Sequence, residues 1–133
     1  MLFLTEWKTT NQLKLETAYE STAVAGINGV GYTTIADAIN AAKAGDTVKL
    51  LQNVEEDVTI PAEKTITLAL NGKTLTNVSG DTITNNGNLT IVGEGTVDNV
   101  THGKADIYNN GLATLNGRGI FSFLAAGIAA AIQ

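Results

Sequence analysis

A fifteen-residue pattern occurs twice in the chain and constrains the fold more than any other feature. The two copies read ITNNGNLTIVGEGTV at residues 83–97 and IYNNGLATLNGRGIF at residues 107–121, a constant offset of 24, and seven of the fifteen pairs are identical. A fainter copy, KTITLALNGKT at residues 64–74, aligns with residues 87–97 at an offset of 23. That alignment pairs Thr67 with Thr90, Leu68 with Ile91 and Gly72 with Gly95. Short β-prone runs broken by Asn-Gly and Gly-x-Gly at this period predict a solenoid built of strands.

Alternating apolar residues mark the strands of this solenoid. The chain is rich in Thr (19), Gly (14) and Asn (13), which suit pleated surfaces and turns, and its single proline, Pro61, lies between two predicted strands. Period-2 alternation places the apolar side chains on one face and the threonines on the other. We therefore predict an all-β fold, a right-handed parallel β-helix over residues 46–123 with Leu68, Ile91 and Leu115 stacked in the interior.

The sequence TTIADAINAAKAG at residues 33–45 predicts a helix that precedes the strands in the chain. The predicted helix covers residues 34–44 and is expected to act as a cap. Thr34 can accept a hydrogen bond at the helix N-terminus, with Asp37 at the third helical position as an acidic variant of the capping box. Gly45 is expected to end the helix. One face of the helix is apolar and consists of Ile35, Ala38, Ile39 and Ala42. We expect this small face to cover the open end of the strand stack.

The segment that begins with this helix resembles a known fold. Residues 38–47, AINAAKAGDT, match residue for residue the pattern A-I-x-A-A-x-x-G-D-T. That pattern caps the first coil in right-handed parallel β-helices of the pectate-lyase-like superfamily. The resemblance covers residues 32–123 and implies a short β-helix of about four coils with an N-terminal helical cap. Because the same scaffold serves lyases, hydrolases, adhesins, and phage fibres and tailspikes, the resemblance leaves the function open.

Residues 1–31 lack the repeat pattern of the rest of the chain, and we predict that they form an N-terminal arm. Residues 13–19 alternate as in one half-buried strand, and the glycine-rich AVAGINGVG at residues 23–31 is interpreted as a flexible connection. Two roles stay open for the arm: an extra strand packed on the domain, or an attachment segment for a neighbouring subunit or another virion protein. The first residues, MLFLTEWKTT, lack the long apolar run and basic flank of a signal peptide. We therefore expect no export by the general route, with an already removed leader as the alternative.

The C-terminal segment is almost entirely apolar. Residues 120–132 contain one serine and no charge, and this run is too short to cross a bilayer as a simple helix. One interpretation is that residues 124–133 fold over the last coil of their own chain as a cap. The other is that copies of this segment from several chains pack together, since its alanines would let helices approach closely. We expect a homo-oligomer, a trimer by analogy with the fibres that the chain resembles.

Charge and cysteine content exclude several kinds of partner and site. Thirteen acidic against eight basic residues give a net charge of −5, and no basic stripe exists. Nucleic acid and anionic membrane surfaces are therefore not expected partners. No run is long enough to span a bilayer. Cysteine is absent, which excludes disulfides and thiolate metal sites.

The sequence offers little catalytic chemistry, and we predict no catalytic, cofactor-binding or metal-binding residues. His102, the only histidine, lies in a turn-like segment and is interpreted as an exposed loop residue rather than a member of a triad or metal site. A pectate-lyase-type Ca²⁺ site needs clustered carboxylates, whereas Asp81, Asp98 and Asp106 are spaced by 17 and 8 residues, which does not match the coil period. A glycosidase pair of carboxylates, which would meet only in space, stays open as a minor alternative.

Two further sets of side chains have both a structural and a functional interpretation. The acidic run at residues 55–57 is expected to be a solvated turn, with weak binding of a divalent cation as the alternative. Asn85-Asn86 and Asn109-Asn110 recur at the coil period. We expect them to form a ladder of side-chain hydrogen bonds rather than a ligand site.

Two last pairs complete the candidates. Glu94 and Arg118 occupy equivalent positions in the repeat, so they could form an ion pair between coils, worth under about 1 kcal/mol at a surface. Tyr32 and Tyr108 are the candidates in the solenoid for stacking against a sugar ring.

Three functional classes fit these observations. We expect first a non-catalytic structural or adhesive component of a bacteriophage virion, such as a head or tail fibre or decoration module. The alternative is a bacterial cell-surface adhesin or glycan-binding module, which would be extracellular and bind a host surface glycan. A carbohydrate-active enzyme is the least favoured class, because the sequence lacks the chemistry for it.

Overall fold

The computed structural model describes residues 22–101 and 103–116, together with two short strands nearer the C-terminus. Helix α1 spans Ile35–Ala41. The strands are β1 (Ala25–Ile27), β2 (Val30–Tyr32), β3 (Thr47–Leu50), β4 (Val54–Glu55), β5 (Val58–Ile60), β6 (Thr65–Ala69), β7 (Thr74–Thr76), β8 (Ile83–Asn85), β9 (Asn88–Val92), β10 (Thr96–Asp98), β11 (Ile107–Asn109), β12 (Leu112–Asn116), β13 (Ile120–Phe121) and β14 (Ala130–Ile132).

The strands stack into three sheets around one apolar interior. Sheet A has the order β14-β12-β9-β6-β3-β1-β2, sheet B the order β13-β10-β7-β4 and sheet C the order β11-β8-β5. From β3 onward each coil visits sheets A, B and C in turn, and every pair is parallel. The predicted parallel β-solenoid is confirmed. The described residues form three complete coils and the start of a fourth, where about four were expected, and the right-handed sense stays a prediction.

Strand register in sheet A confirms the repeat alignment at the interior positions. Leu68 pairs with Ile91 at the predicted offset of 23, and Ile91 pairs with Leu115 at the offset of 24. These three side chains are only 1%, 1% and 3% exposed, as expected for a stacked interior column. The Asn-Asn-Gly segments lie at corners between parallel sheets rather than in antiparallel hairpins. One coil cannot bury such a column alone, so the pattern has to repeat.

The fainter alignment fails at one corner. Thr74 of sheet B pairs with Thr96, an offset of 22, so Gly72 and Gly95 are not equivalent positions as predicted. A Cβ on Gly95 would meet the Lys73 carbonyl oxygen, whereas the Gly72 N–H donates to the Glu94 carbonyl at 2.7 Å. The shift arises because the corner after β6 holds one residue more than the corner after β9.

Residues 23–31 form a hairpin, and the prediction of a flexible connection there is wrong. Strands β1 and β2 pair antiparallel, with Ile27 opposite Val30, and β1 also pairs antiparallel with β3. Asn28 and Gly29 form the two-residue turn at φ 50° and 85°, the backbone geometry that Asn-Gly favours in a tight hairpin. The hairpin extends sheet A, so the predicted boundary at residue 31 falls inside β2. Residues 1–21 lie outside the described residues.

Helix α1 covers the first coil, as predicted. The Thr34 hydroxyl accepts the Asp37 N–H at 3.0 Å, and Ile35, Ala38 and Ile39 are buried against the core. The predicted end at residue 44 is wrong, because α1 ends at Ala41 and the next residue is already extended. Gly45, at φ 84°, lies in the turn that leads into β3.

The C-terminal segment contributes two strands to its own chain. Val97 of β10 pairs with Phe121 of β13, which the 24-residue offset predicts. Leu115 of β12 pairs with Ile132 of β14. For residues 130–132 this agrees with the interpretation of a cap on the chain's own last coil, and residues 122–129 lie outside the described part. In that part, no helix is long and apolar enough to cross a membrane.

Candidate functional site

The corner between sheets C and A holds a buried asparagine ladder. Asn85 and Asn109 end β8 and β11, pair in register and are 0% and 2% exposed. The Asn85 Nδ2 donates to Asn109 Oδ1 at 2.7 Å and to the Leu112 carbonyl at 2.9 Å, and its Oδ1 accepts the Gly87 N–H at 3.1 Å. Both amides close their own turns by contacts with the glycine two residues on, and the Asn85 amide also bonds to the next coil.

A second, exposed rung runs beside the buried one. The Asn110 Nδ2 donates to Asn86 Oδ1 at 2.9 Å. The glycine that follows each asparagine pair passes directly over the coil below it. A Cβ on Gly87 would collide with the Pro61 carbonyl oxygen, and one on Gly111 would collide with the Gly87 carbonyl oxygen. The predicted turn ladder of side-chain hydrogen bonds is confirmed, and only glycine fits its corners.

The corner between sheets B and C contains a further polar network that was not predicted. Asn77 and Asn99 follow β7 and β10 directly and are buried. The Asn77 Oδ1 accepts the Val100 N–H at 2.7 Å, which connects the second coil to the third. The Asn99 Nδ2 donates to the Gly80 carbonyl at 2.9 Å and to the Ala105 carbonyl at 3.1 Å. An asparagine directly after both β7 and β10 was the available sequence signal.

Glu56 caps helix α1, so the acidic run at residues 55–57 is not simply a solvated turn. Its Oε1 accepts the Ile35 N–H and its Oε2 the Ala36 N–H, both at 2.9 Å. At the other end of α1, the Lys64 Nζ donates to the Ala42 carbonyl at 2.6 Å. A carboxylate at the N-terminus and an ammonium at the C-terminus both complement the helix dipole. These contacts attach the cap to the first coil.

Asp57 binds the second coil by accepting three successive backbone N–H groups. Its carboxylate accepts from Val78 at 2.7 Å, from Ser79 at 3.3 Å and from Gly80 at 3.0 Å. These hydrogen bonds, that of Val78 first, lower the pKa of Asp57 below its ordinary value, and partial desolvation opposes them. Two carboxylates of the acidic run are thus occupied by contacts within the fold.

The three scattered aspartates make separate contacts. The Asp81 Oδ1 accepts the Ala105 N–H at 2.8 Å, and the Asp106 Oδ1 accepts the Asn99 N–H at 2.6 Å. Asp98 occupies an outward position of β10, opposite Thr76 of β7. Among the described residues, no group of three or more His, Cys, Asp or Glu side chains could hold a metal ion.

The remaining candidates lie apart or outside the described part. Tyr32, at the end of β2, packs against the core near the first coil. Tyr108 is 38% exposed on β11 in the third coil, so the two tyrosines do not form one stacking surface. His102 and Arg118 lie outside the described residues, so the predicted ion pair with Glu94 stays a prediction.

A groove of about 590 Å³ lies on the outer face of the N-terminal hairpin. Gly26 pairs with Gly31 across the hairpin, and neither has a side chain to fill the space above the sheet. Asn28 and the side chains of Lys49 and Leu51 also line this N-terminal groove, and among its described lining residues Lys49 carries the only charge. The sequence pattern does not indicate this groove, because it arises from the pairing of two glycines.

No model of a known protein family, no curated protein and no solved structure matches this chain. The resemblance to pectate-lyase-like β-helices therefore depends on the motifs of residues 32–123 and on the β-solenoid itself. A fold of this kind does not determine a function.

Proposed function

We propose that the chain is a non-catalytic structural or adhesive component of a bacteriophage virion, a fibre or decoration module. The observation that supports this proposal is that the polar side chains of the solenoid form hydrogen bonds within the fold. Glu56, Asp57 and Asp81 accept backbone N–H groups from the helical cap or from the next coil. The asparagines at two corners do the same between coils. Side chains that an enzyme could use for proton transfer or metal binding hold the coils together here.

The two ends of the solenoid also support this proposal. Helix α1 closes the first coil, so the N-terminal end of the interior is covered. At the other end the chain supplies an uncharged, nearly uninterrupted apolar run at residues 120–132. We propose that this end, and the arm at residues 1–31, make the contacts with further copies or with other virion proteins, as a homotrimer. An exposed edge or apolar end of a solenoid has to be covered for solubility.

The alternative is a bacterial cell-surface adhesin or glycan-binding module. The observation that favours it is the N-terminal groove, since an open groove with one ammonium and several backbone amides could bind a host surface glycan. Both functions use the same rigid scaffold, and they differ in where the chain is located.

Location separates the two proposals. Cells of the source culture are treated to release phage, particles are purified through a density gradient, and the protein is detected in each fraction with an antibody. We expect the protein in the particle fraction in a constant ratio to the major capsid protein. Detection only in the cell-wall fraction, or on intact cells, would contradict the virion proposal and favour the adhesin.

A further inference from the structure

Four Asn-Gly pairs lie in the described part of the chain: Asn28-Gly29, Asn71-Gly72, Asn86-Gly87 and Asn110-Gly111. Asn-Gly is the dipeptide in which an asparagine side chain reacts most readily with its own backbone, because glycine leaves the following nitrogen unhindered. The surroundings of the four pairs differ, and the difference concerns the two groups that would react.

The reaction needs a free amide and a free N–H. The glycine nitrogen loses its proton and attacks the asparagine Cγ, so a C–N bond forms and the side-chain amide leaves as ammonia. The resulting five-membered imide is then opened by water, which yields aspartate or isoaspartate and adds one negative charge. No oxidant or cofactor takes part. A hydrogen bond from the glycine N–H, or one that holds the side-chain amide, opposes the attack.

Hydrogen bonds hold the reacting groups in three of the four pairs. The Gly72 N–H donates to the Glu94 carbonyl, and the Asn71 Nδ2 donates to the Leu50 carbonyl at 2.9 Å. At the sheet C to sheet A corners, the N–H of the glycine donates to Asn85 Oδ1 in one coil and to Asn109 Oδ1 in the next. The side chains of Asn86 and Asn110 are joined to each other.

The fourth pair is open. Asn28 and Gly29 form the tip of the β1–β2 hairpin and are both exposed. Among the described residues, neither the Asn28 side-chain amide nor the Gly29 N–H makes a hydrogen bond. Apart from Gly29 and its two chain neighbours, no described atom lies within 4 Å of the position that a Gly29 Cβ would take.

We propose that Asn28 is a deamidation site of the folded protein, with water as the co-reactant, and that the structure protects the other three Asn-Gly pairs that lie wholly in the described part of the chain. Asn28 lines the N-terminal groove together with Lys49, which carries the only charge there. Deamidation therefore places a carboxylate in a groove that otherwise holds a single ammonium, and it cancels the net charge of that surface.

The test compares the four sites within one sample. The full chain is incubated in mildly alkaline buffer, digested, and analysed by liquid chromatography and mass spectrometry for the mass increase of amide-to-acid conversion at each Asn-Gly. In the folded protein we expect Asn28 to convert at least about tenfold faster than Asn71, Asn86 or Asn110. An opening free energy of about 1.4 kcal/mol at the held sites is enough for that factor.

Two controls make the comparison decisive. In concentrated urea the four rates should come together, because only the dipeptide then matters. Asn28→Ser removes the reacting amide and should abolish the acidic charge variant that peptide mapping assigns to residue 28, while any variant from Asn116-Gly117, which extends beyond the described residues, is identified by its own peptide. Equal rates at Asn28 and any held site in the folded protein would overturn the proposal. The proposal would also fail if Asn28 stayed an amide in the folded protein but converted in urea. It would fail too if the conversion rates at the four sites kept the same order in urea as in the folded protein.

Discussion

Replacing Asn85 by alanine tests the buried rung of the asparagine ladder. Asn85→Ala removes the donor to Asn109 Oδ1, the donor to the Leu112 carbonyl and the acceptor of the Gly87 N–H. The Asn85 side chain is 0% exposed, and the substitution leaves the buried Gly87 N–H without its acceptor. The Asn109 Oδ1 still accepts the Gly111 N–H, and Leu112 is exposed to water. Ile60 occupies the equivalent position in the first coil, so the position itself accepts an apolar side chain.

The expected loss of stability follows from the number of hydrogen bonds that Asn85→Ala removes. Three hydrogen bonds at about 1 kcal/mol each give ~3 kcal/mol, and one buried group left without a partner adds about 1–2 kcal/mol. We therefore expect the free energy of unfolding to fall by about 4 kcal/mol. For a domain with a total stability of about 5–15 kcal/mol, this is a large fraction.

Asn86→Ala is the matched control, because it changes the same residue type one position further on. Asn86 is exposed, and its side chain accepts one hydrogen bond, from Asn110 Nδ2. We expect a loss of about 0.5 kcal/mol. Urea unfolding followed by circular dichroism measures both variants. Equal losses for the two, or a loss below about 1 kcal/mol for Asn85→Ala, would refute the view that the buried amides hold the coils together.

Four further predictions follow from the same contacts. Glu56→Ala should lower the free energy of unfolding by about 1–2 kcal/mol, since two N–H groups of α1 lose their acceptor, whereas Glu55→Ala should change it little in the same urea assay; equal effects would contradict the capping role. Because the pKa of Asp57 is lowered in the folded protein, its stabilisation is present above about pH 4 and lost as the pH falls through the folded-state pKa, so Asp57→Asn should flatten the acid side of a plot of stability against pH. If stability fell with decreasing pH as steeply in Asp57→Asn as in the parent, this prediction would be contradicted. Ile91→Asp should unfold the protein, because it buries an unpaired charge. Leu112→Asp, at an outward position of the neighbouring strand β12, should fold with a free energy of unfolding within about 0.5 kcal/mol of the parent. A folded Ile91→Asp would count against the interior column. The purified chain should release no product from acidic or neutral polysaccharides, with or without Ca²⁺, and product abolished by one Asp or Glu substitution would show an enzyme.

The repeat predicted the parts of the fold that depend on stacking. Residues such as Leu68 and Ile91 share an interior column because like side chains have to lie above one another when a coil buries its face against the next. The same reasoning placed Asn85 beside Asn109. The Asn-Asn-Gly corners were identified because each asparagine recurs at the coil period, so a bond formed in one coil has its partner 24 residues away.

Contacts that occur in only one coil could not be predicted from the repeat. Glu56 reaches the N-terminus of α1 and Lys64 its C-terminus, and neither contact recurs in later coils, because only the first coil meets the helix. The Asp57 contact with the second coil is also confined to one level. The hairpin at residues 25–32 carried the local Asn-Gly signal of a tight turn, but its many glycines favoured the interpretation of a flexible connection.

The corners of the coils differ in length, which the repeat alone does not predict. The corner between sheets C and A takes two residues after β8, whereas the connections between sheets B and C span residues 77–82 and 99–106. The buried side chains of Asn77 and Asn99 organise these longer connections. The repeat predicts neither the length of these connections nor the side chains that hold them.

Light scattering gives the most direct measure of the central claim, that the chain works as an assembled structural piece. The mass of the full chain is measured over a range of concentrations, beside a version that ends at Gly119 and whose folding is checked by circular dichroism. We predict a species of three chain masses of 13.8 kDa for the full chain and a smaller species for the shortened one. Two monodisperse monomers of equal solubility would contradict it.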